Sequence, residues 1–251
     1  MSIRKTKIIA TLGPATQSPE KIGELIKAGA NVFRLNMSHA SHDWTRDVVG
    51  HIREQSQRLE MSVATLIDLQ GPSIRTGDVD EKLELKAGDT VEFRNADLEP
   101  STPISVTTNY DGLYQDVSVD DVMLVDNGEI HFRINRIDEG RLMFEVLTNG
   151  LMGSRRHINL PGIRVNLPAL TNKDLMDIDL AAELQVDFIA ISFVRDAGHV
   201  RYLREKLEEK DCSARIVSKI EDQEAVKNLS EIIVESAAVM VARGDLGIEV
   251  H

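Results

Sequence analysis

A single cysteine, Cys212, leaves this chain without the means to close an internal disulfide, so its stability has to come from a packed core. Aromatic residues are scarce, at 4% with one tryptophan, and the lysines and arginines form no stripe interleaved with them. A net charge of −12 repels a phosphate backbone, and with no such stripe to offset it nucleic acid is excluded as a partner. No apolar run is long enough to cross a bilayer and the start carries no secretory pattern, so no membrane partner is expected and the cytoplasm is the expected location. What is present, 251 residues of which 42% are hydrophobic, suits one large globular domain or two smaller ones. The same acidity would repel small anionic substrates, so a phosphate site here needs local cations or bound metal to reverse the field.

The first 69 residues alternate strand and helix. KIIATLG is a short apolar strand closed by Gly13-Pro14, and Ser18-Pro19-Glu20 is a helix start that Gly29 stops. NVFRLNMS, a helix from about Ser41 to Leu59, and the strand SVATLIDL follow, and strands separated by helices imply parallel pairing. From about Gly77 to Val165 the texture changes. KLELKAGDTVEFR, PISVTT, DVMLVDNGEIHFRINRID and RLMFEVL alternate between turn residues and predict a separate antiparallel β domain. After NLPALT the earlier rhythm returns, with Thr171 and Asp174 as a capping box, then DFIAISF, a helix near 197–210, RIVSKI, another helix and VMVARGD.

Six strands of one kind with an insertion after the third can be set against barrel arithmetic. Removing the insertion leaves about 160 residues, whereas a closed eight-stranded β/α barrel takes roughly 250. The expectation is an incomplete (β/α)8 TIM-type barrel of the first six strands with an inserted antiparallel β-barrel lid domain, split as 1–70 and 166–251 for the barrel and 71–165 for the lid. Because the chain stops at GIEVH, directly after a candidate active-site turn, it is expected to be a fragment of a longer protein.

In such barrels, polar residues at the carboxyl ends of strands converge at one mouth. The second strand ends in Arg34, Asn36 and Ser38, on one face by the period-two rule, and the third ends in Asp68, followed by QGPSIRTG with Arg75. RIVSKIE supplies Lys219 and Glu221, and ARGD supplies Arg243 and Asp245. Each has a plainer reading: Asp68 or Asn36 as a turn former, Lys219 with Glu221 as a structural ion pair. Four strand ends agreeing favour a site. Glu221 and Asp245 offer two hard oxygens to one Mg²⁺, Lys219 then faces a phosphate or developing oxyanion, and RGDLG opening a helix offers backbone N–H groups to an anion.

TKIIATLGPAT, NVFRLNMSHAS, DLQGPSIRTG, INLPG, IVSKIEDQEAV and MVARGDLGIEV resemble, in order and over essentially the whole chain, the successive blocks of pyruvate kinases. That resemblance implies a β/α barrel with a mobile β lid after strand three and a regulatory α/β domain beyond. It implies phosphoryl transfer from phosphoenolpyruvate to ADP, giving ATP and pyruvate, in a homotetramer. By the same resemblance Glu221 and Asp245 match ligands of Mg²⁺ (or Mn²⁺), and Lys219 matches the lysine that stabilises the transferring phosphoryl group and the enolate. Arg34 matches the arginine on the phosphoryl group, and Gly244 and Asp245 present amides to the substrate carboxylate. Asn36, Ser38, Asp68 and the Leu69 carbonyl match a K⁺ site. Arg75 matches a further active-site arginine, and Asn36 and His39 match a nucleotide-contacting pair that the lid's basic pair, Arg155 and Arg156, would extend. Ser192 and Phe193 fall where the family has the same dipeptide.

Several positions depart from the family. Ser73 stands where Glu or Lys is common and, with Leu69 and Gln70, leaves the potassium requirement open. Ala40 and His157 stand where Gly is common, and Asn127 where a second Asp is. A threonine linked to proton transfer would lie on the seventh strand, beyond this chain, so the chain alone is expected to be inactive. The competing readings are a Mg²⁺-dependent enolate lyase of a related barrel, against which the β insertion and Lys219 argue, and a truncated paralogue that binds a ligand or caps another subunit.

Overall fold

The computed structural model describes residues 5–249; residues 1–4, and Val250 and His251 of GIEVH on which the reading of the chain's end rests, lie outside the described residues. Packing divides the chain into two units: the part through Gly71 with Ala169–Ile220 and Asn228–Met240, and Pro72–Pro168 with Glu221–Lys227 and the part from Val241.

The first unit opens with β1 (Ile9–Thr11), α1 (Pro19–Ala28), β2 (Val32–Asn36), α2 (His42–Leu59) and β3 (Ala64–Asp68). Ser18 caps α1 by accepting from the Lys21 amide with Pro19 at the first position, and Gly29 ends the helix at φ 103°, a conformation favourable only without a side chain. Ile22 and Ile26, one turn apart, are its buried stripe. Along β2, Phe33 and Leu35 are fully buried while Arg34 and Asn36 take the opposite face.

The second unit contains β4 (Leu83–Leu85), β5 (Thr90–Arg94), β6 (Ser105–Thr107), α3 (Leu113–Asp116), β7 (Val122–Val125), β8 (Ile130–Asp138), β9 (Arg141–Val146), β10 (Gly150–Met152) and β11 (Ile158–Asn159). Six of these strands form a sheet in the order β11-β7-β8-β9-β5-β6, and β10 pairs with β4. One feature of the expected lid is corrected: the sheet is mixed, because β5 and β6 run parallel. The stretch from Asn95 to Ile104, with Asp97 and Pro100 in it, is long enough to cross over and bring β6 in alongside in the same direction. Glu92 holds that crossover, accepting from the Ser101 amide and hydroxyl at 2.9 and 2.6 Å, from the Ser105 hydroxyl at 2.6 Å, and from Arg141. Arg75 bridges to His157 beside β11 and Thr76 to Thr108 beside β6, so the segment entering the lid joins the two ends of the sheet. Inside, Phe93, Phe132 and Phe144 meet edge to face with centroids 5.0–6.0 Å apart.

The chain then adds α4 (Asn172–Glu183), β12 (Phe188–Ile191), α5 (Ala197–Glu208), β13 (Arg215–Ile220), α6 (Gln223–Lys227), α7 (Leu229–Glu235), β14 (Ala238–Val241) and α8 (Arg243–Glu249). The capping box at α4 is present as expected, and the Asp174 carboxylate also accepts from the Gly71 amide at 3.0 Å. The single helix expected after RIVSKI is two, broken at Asn228. The first unit's sheet has the order β1-β2-β3-β12-β13-β14, and β1/β2, β2/β3, β3/β12 and β12/β13 pair in parallel, which is six strands of a β/α barrel. Because β3 pairs directly with β12, the inserted β domain leaves and re-enters between neighbouring strands. The two end strands carry exposed apolar side chains, Ile9 on β1 and Val239 and Val241 on β14.

Burial resists ionisation of Glu92, but its hydrogen bonds from Ser101, Ser105 and Arg141 outweigh it and hold the pKa at about 2 against a usual 4.5. A carboxyl whose pKa is depressed by folding stabilises above its unfolded pKa and loses that contribution as pH falls. Lid stability, read by amide hydrogen exchange, is therefore expected to decline between pH 4.5 and 2. Glu92→Gln is expected to cost about 3–5 kcal/mol at neutral pH, because Arg141 is left without its buried counter-ion.

Candidate active site

The register of the first unit's sheet sets Asn36, Asp68 and Ala190 level on β2, β3 and β12. Beyond that level the strand ends carry their polar groups. Asp68 is 1% exposed, and its Oδ2 accepts from Arg34 Nε at 2.6 Å and pairs also with Nη2. Its Oδ1 faces the Lys219 ammonium from the end of β13 at 3.4 Å and makes no hydrogen bond. Lys219 Nζ donates to Ser192 Oγ at 2.7 Å, and Ser192 Oγ donates to the Leu69 carbonyl at 2.8 Å. A continuous polar chain thus runs from Arg34 through Asp68, Lys219 and Ser192 to Leu69. Arg34 also donates to Thr11 on β1 at 3.0 Å, so the ends of β1, β2, β3 and β13 and the residue after β12 all contribute.

Four of the expected residues therefore meet here: Arg34, Asp68, Leu69 and Lys219. Asn36 and Ser38 are joined to each other, the Ser38 amide donating to Asn36 Oδ1 at 3.1 Å, and exposed His39 donates its amide to the Asn36 carbonyl at 3.2 Å. The plain reading of Asn36 as a turn former is thus also satisfied. Ser192 was visible in sequence only as the first residue of a Ser-Phe dipeptide at a strand end; its link to Lys219 depends on strand order.

In the second unit, Glu221 is 1% exposed just past the strand that carries Lys219, and Asp245 and the exposed Gly244 sit in the first turn of α8. Arg75 donates to Ser73 Oγ at 3.2 Å and to the Arg155 carbonyl at 3.1 Å. The Arg155 side chain is turned to Asp78 in a bidentate pair at 2.8 and 2.9 Å on the exposed surface, while Arg156 reaches Asp126 at 3.3 Å. His157 Nδ1 lies 3.8 Å from Asp245 Oδ1. Burial pushes the His157 pKa below the usual 6.5, Asp245 opposes that shift and Arg75 adds to it. Sequence reading marked His157 as unusual but had no means to bring it to Asp245.

The family model for the barrel domain of pyruvate kinase matches residues 3–251. The chain belongs to the pyruvate kinase family. It is 41% identical over 251 residues to the pyruvate kinases of Staphylococcus aureus strains USA300, NCTC 8325 and COL. Each match takes in 99% of this chain and 43% of the relative, so the chain spans less than half the length of these curated relatives.

Pyruvate kinases as a family generally use Mg²⁺ and K⁺. The donor chemistry fits both. Glu221 and Asp245, in one unit, are hard carboxylates of the kind Mg²⁺ takes one or two of, the remainder being water and substrate oxygen. That modest demand is compatible with the described residues, among which no three His, Cys, Asp or Glu side chains converge as a metal cluster. Asp68 Oδ1, buried and without a hydrogen bond, is the kind of oxygen a monovalent cation would satisfy.

Replacing Asp68 by Asn leaves Arg34 and Lys219 facing each other with no buried counter-charge. Asp68→Asn is expected to cost about 3–5 kcal/mol of stability, measured by urea denaturation. The loss should register in Trp44 fluorescence, since Trp44 lies on α2 in the same unit as this cluster.

Proposed function

We propose that the complete protein carrying this chain is a cytoplasmic, homotetrameric pyruvate kinase that transfers the phosphoryl group of phosphoenolpyruvate to ADP in glycolysis. An oxygen of the ADP terminal phosphate forms the new bond to phosphorus as the bond from phosphorus to the enol oxygen breaks. That electron pair stays on oxygen as enolpyruvate, which gains a proton at carbon to give pyruvate. The barrel is formed by 1–70 and 166–251 and the lid by 71–165. The observation that carries this reading is the pair of cations, Arg34 and Lys219, held at strand ends by one buried carboxylate in a member of this family.

Phosphoryl transfer asks the protein for positioning and charge neutralisation more than for covalent help. Arg34 grips the phosphoryl oxygens, and Lys219 meets the charge that develops on the phosphoryl group and then on the enolate oxygen. Asp68 keeps both cations extended before substrate arrives. Glu221 and Asp245 would hold Mg²⁺ or Mn²⁺, which when bound supplies neutralising charge to phosphate oxygens. Gly244 and Asp245 offer backbone amides to the carboxylate. Asn36, Ser38, Asp68 and the Leu69 carbonyl would hold K⁺, and Asn36, His39, Arg75, Arg155 and Arg156 contact the nucleotide. For the arginine pair this requires Arg155 to leave Asp78, an exchange that is cheap for an exposed ion pair.

In the complete protein, Lys219→Met is expected to lower ATP formation from phosphoenolpyruvate and ADP by on the order of 10²–10³-fold. Mn²⁺ affinity, read by electron paramagnetic resonance, should stay unchanged, since Lys219 serves the reacting group; a parallel loss of metal binding would reject this division of roles. Residues 1–251 alone are expected to show negligible turnover, because six strands of an eight-stranded barrel leave part of the mouth unbuilt. Titrating activity against K⁺ decides whether the monovalent ion is required.

A further inference from the structure

We propose that Ser192 is a positioning residue for Lys219, setting the direction in which the ammonium presents its charge to the reacting phosphoryl group; this rests on the pyruvate kinase reading above. A lysine on a strand end has four rotatable carbons and would be drawn to the nearest carboxylate. Asp68 is such a carboxylate, yet its Oδ1 stands 3.4 Å from Nζ, beyond a good charge-assisted hydrogen bond. Lys219 makes a short contact with a neutral partner, Ser192 Oγ, at 2.7 Å. A hydroxyl that accepts from an ammonium must send its own proton elsewhere, and the Leu69 carbonyl takes it at 2.8 Å. The Leu69 amide is in turn held by the Ala190 carbonyl at 3.0 Å, so the acceptor that orients Ser192 is fixed by the β3/β12 ladder.

The backbone around Ser192 is built for this placement. Ser192 is 1% exposed, and Phe193 after it has φ 54°, a left-handed conformation in which an aromatic residue is strained. Gly71, at φ 70°, lies against the turn so closely that a Cβ there would stand 2.7 Å from Ser192 Cβ and 3.0 Å from the Phe193 ring. The loop leaving β3 and the turn leaving β12 are thus pressed together. The product of that pressing is a hydroxyl between Leu69 and Lys219. Held by Ser192, the ammonium stays at 3.4 Å in its ion pair with Asp68; without the hydroxyl, it would close on Asp68 Oδ1 to hydrogen-bond distance, and more of its charge would be directed there when the phosphoryl group arrives.

The test is a double-mutant cycle in the complete protein with Ser192→Ala, Lys219→Met and the pair. Ser192→Cys, nearly the same size but a weak acceptor, controls for packing. Ser192→Ala and Ser192→Cys are each expected to lower kcat ten- to a hundredfold with KM for phosphoenolpyruvate changed less than threefold, and Ser192→Ala should add nothing to Lys219→Met. Multiplying losses in the double variant, or full activity of Ser192→Cys, would overturn the proposal. A second readout does not depend on the reaction: the ¹⁵N-edited ammonium signal of Lys219, assigned by its loss in Lys219→Met, should be protected from exchange in the parent and lost in Ser192→Ala. If the parent forms no ATP from phosphoenolpyruvate the assigned reaction is wrong, and the ammonium signal still decides the Ser192 contact. An unchanged signal in Ser192→Ala refutes it.

Discussion

A carboxylate almost removed from water, with a guanidinium on one oxygen and an ammonium near the other, is the constraint on which the first unit's polar end depends. A buried carboxylate in that position needs both cations beside it, and both can be delivered only if β2, β3 and β13 keep their order and register. A one-residue slip in β2 would turn Arg34 to the helix side and bring Leu35 to the polar side, leaving the carboxylate half paired. The buried charge therefore ties strand registration to site geometry.

The lid contains a second buried carboxylate, and the contrast with the first is informative. Both oxygens of Glu92 are fully engaged, by a backbone amide, two hydroxyls and a guanidinium, and its job is finished when the β5–β6 crossover is closed. Asp68 keeps an oxygen without a hydrogen bond beside a lysine that donates to a serine. Glu92 is thus saturated by hydrogen bonds, whereas Asp68 faces an ammonium through an oxygen that accepts none.

Two positions singled out in the sequence as unusual, His157 and Ser73, have partners in the second unit. His157 brings an imidazole to within 3.8 Å of Asp245, and burial pushes its pKa down against the pull of that carboxylate. Ser73 accepts from Arg75 instead of presenting a charge of its own. Of the lid's basic pair, Arg155 stands in solvent against Asp78 and Arg156 is the more enclosed. Basic residues adjacent in sequence thus occupy different electrostatic settings, and their shared reading as a pair dissolves once their partners are seen.

The local elements were legible because their causes are local. Ser18, Gly29 and the Thr171–Asp174 box act within one helical turn, alternation in NVFRLNMS assigns each residue a face, and the βα rhythm implies parallel strands; Arg34, Asp68 and Lys219 could be singled out from strand ends alone. What could not be read was set by chain segments distant in sequence. The parallel placement of β6 depends on a crossover pinned by Glu92, the Lys219–Ser192–Leu69 contacts on β3, β12 and β13 lying side by side, and the approach of His157 to Asp245 on how α8 packs. Propensity and periodicity act over a few residues and so are written in the chain, whereas which buried charge meets which partner is chosen only when desolvation forces every polar group to find one.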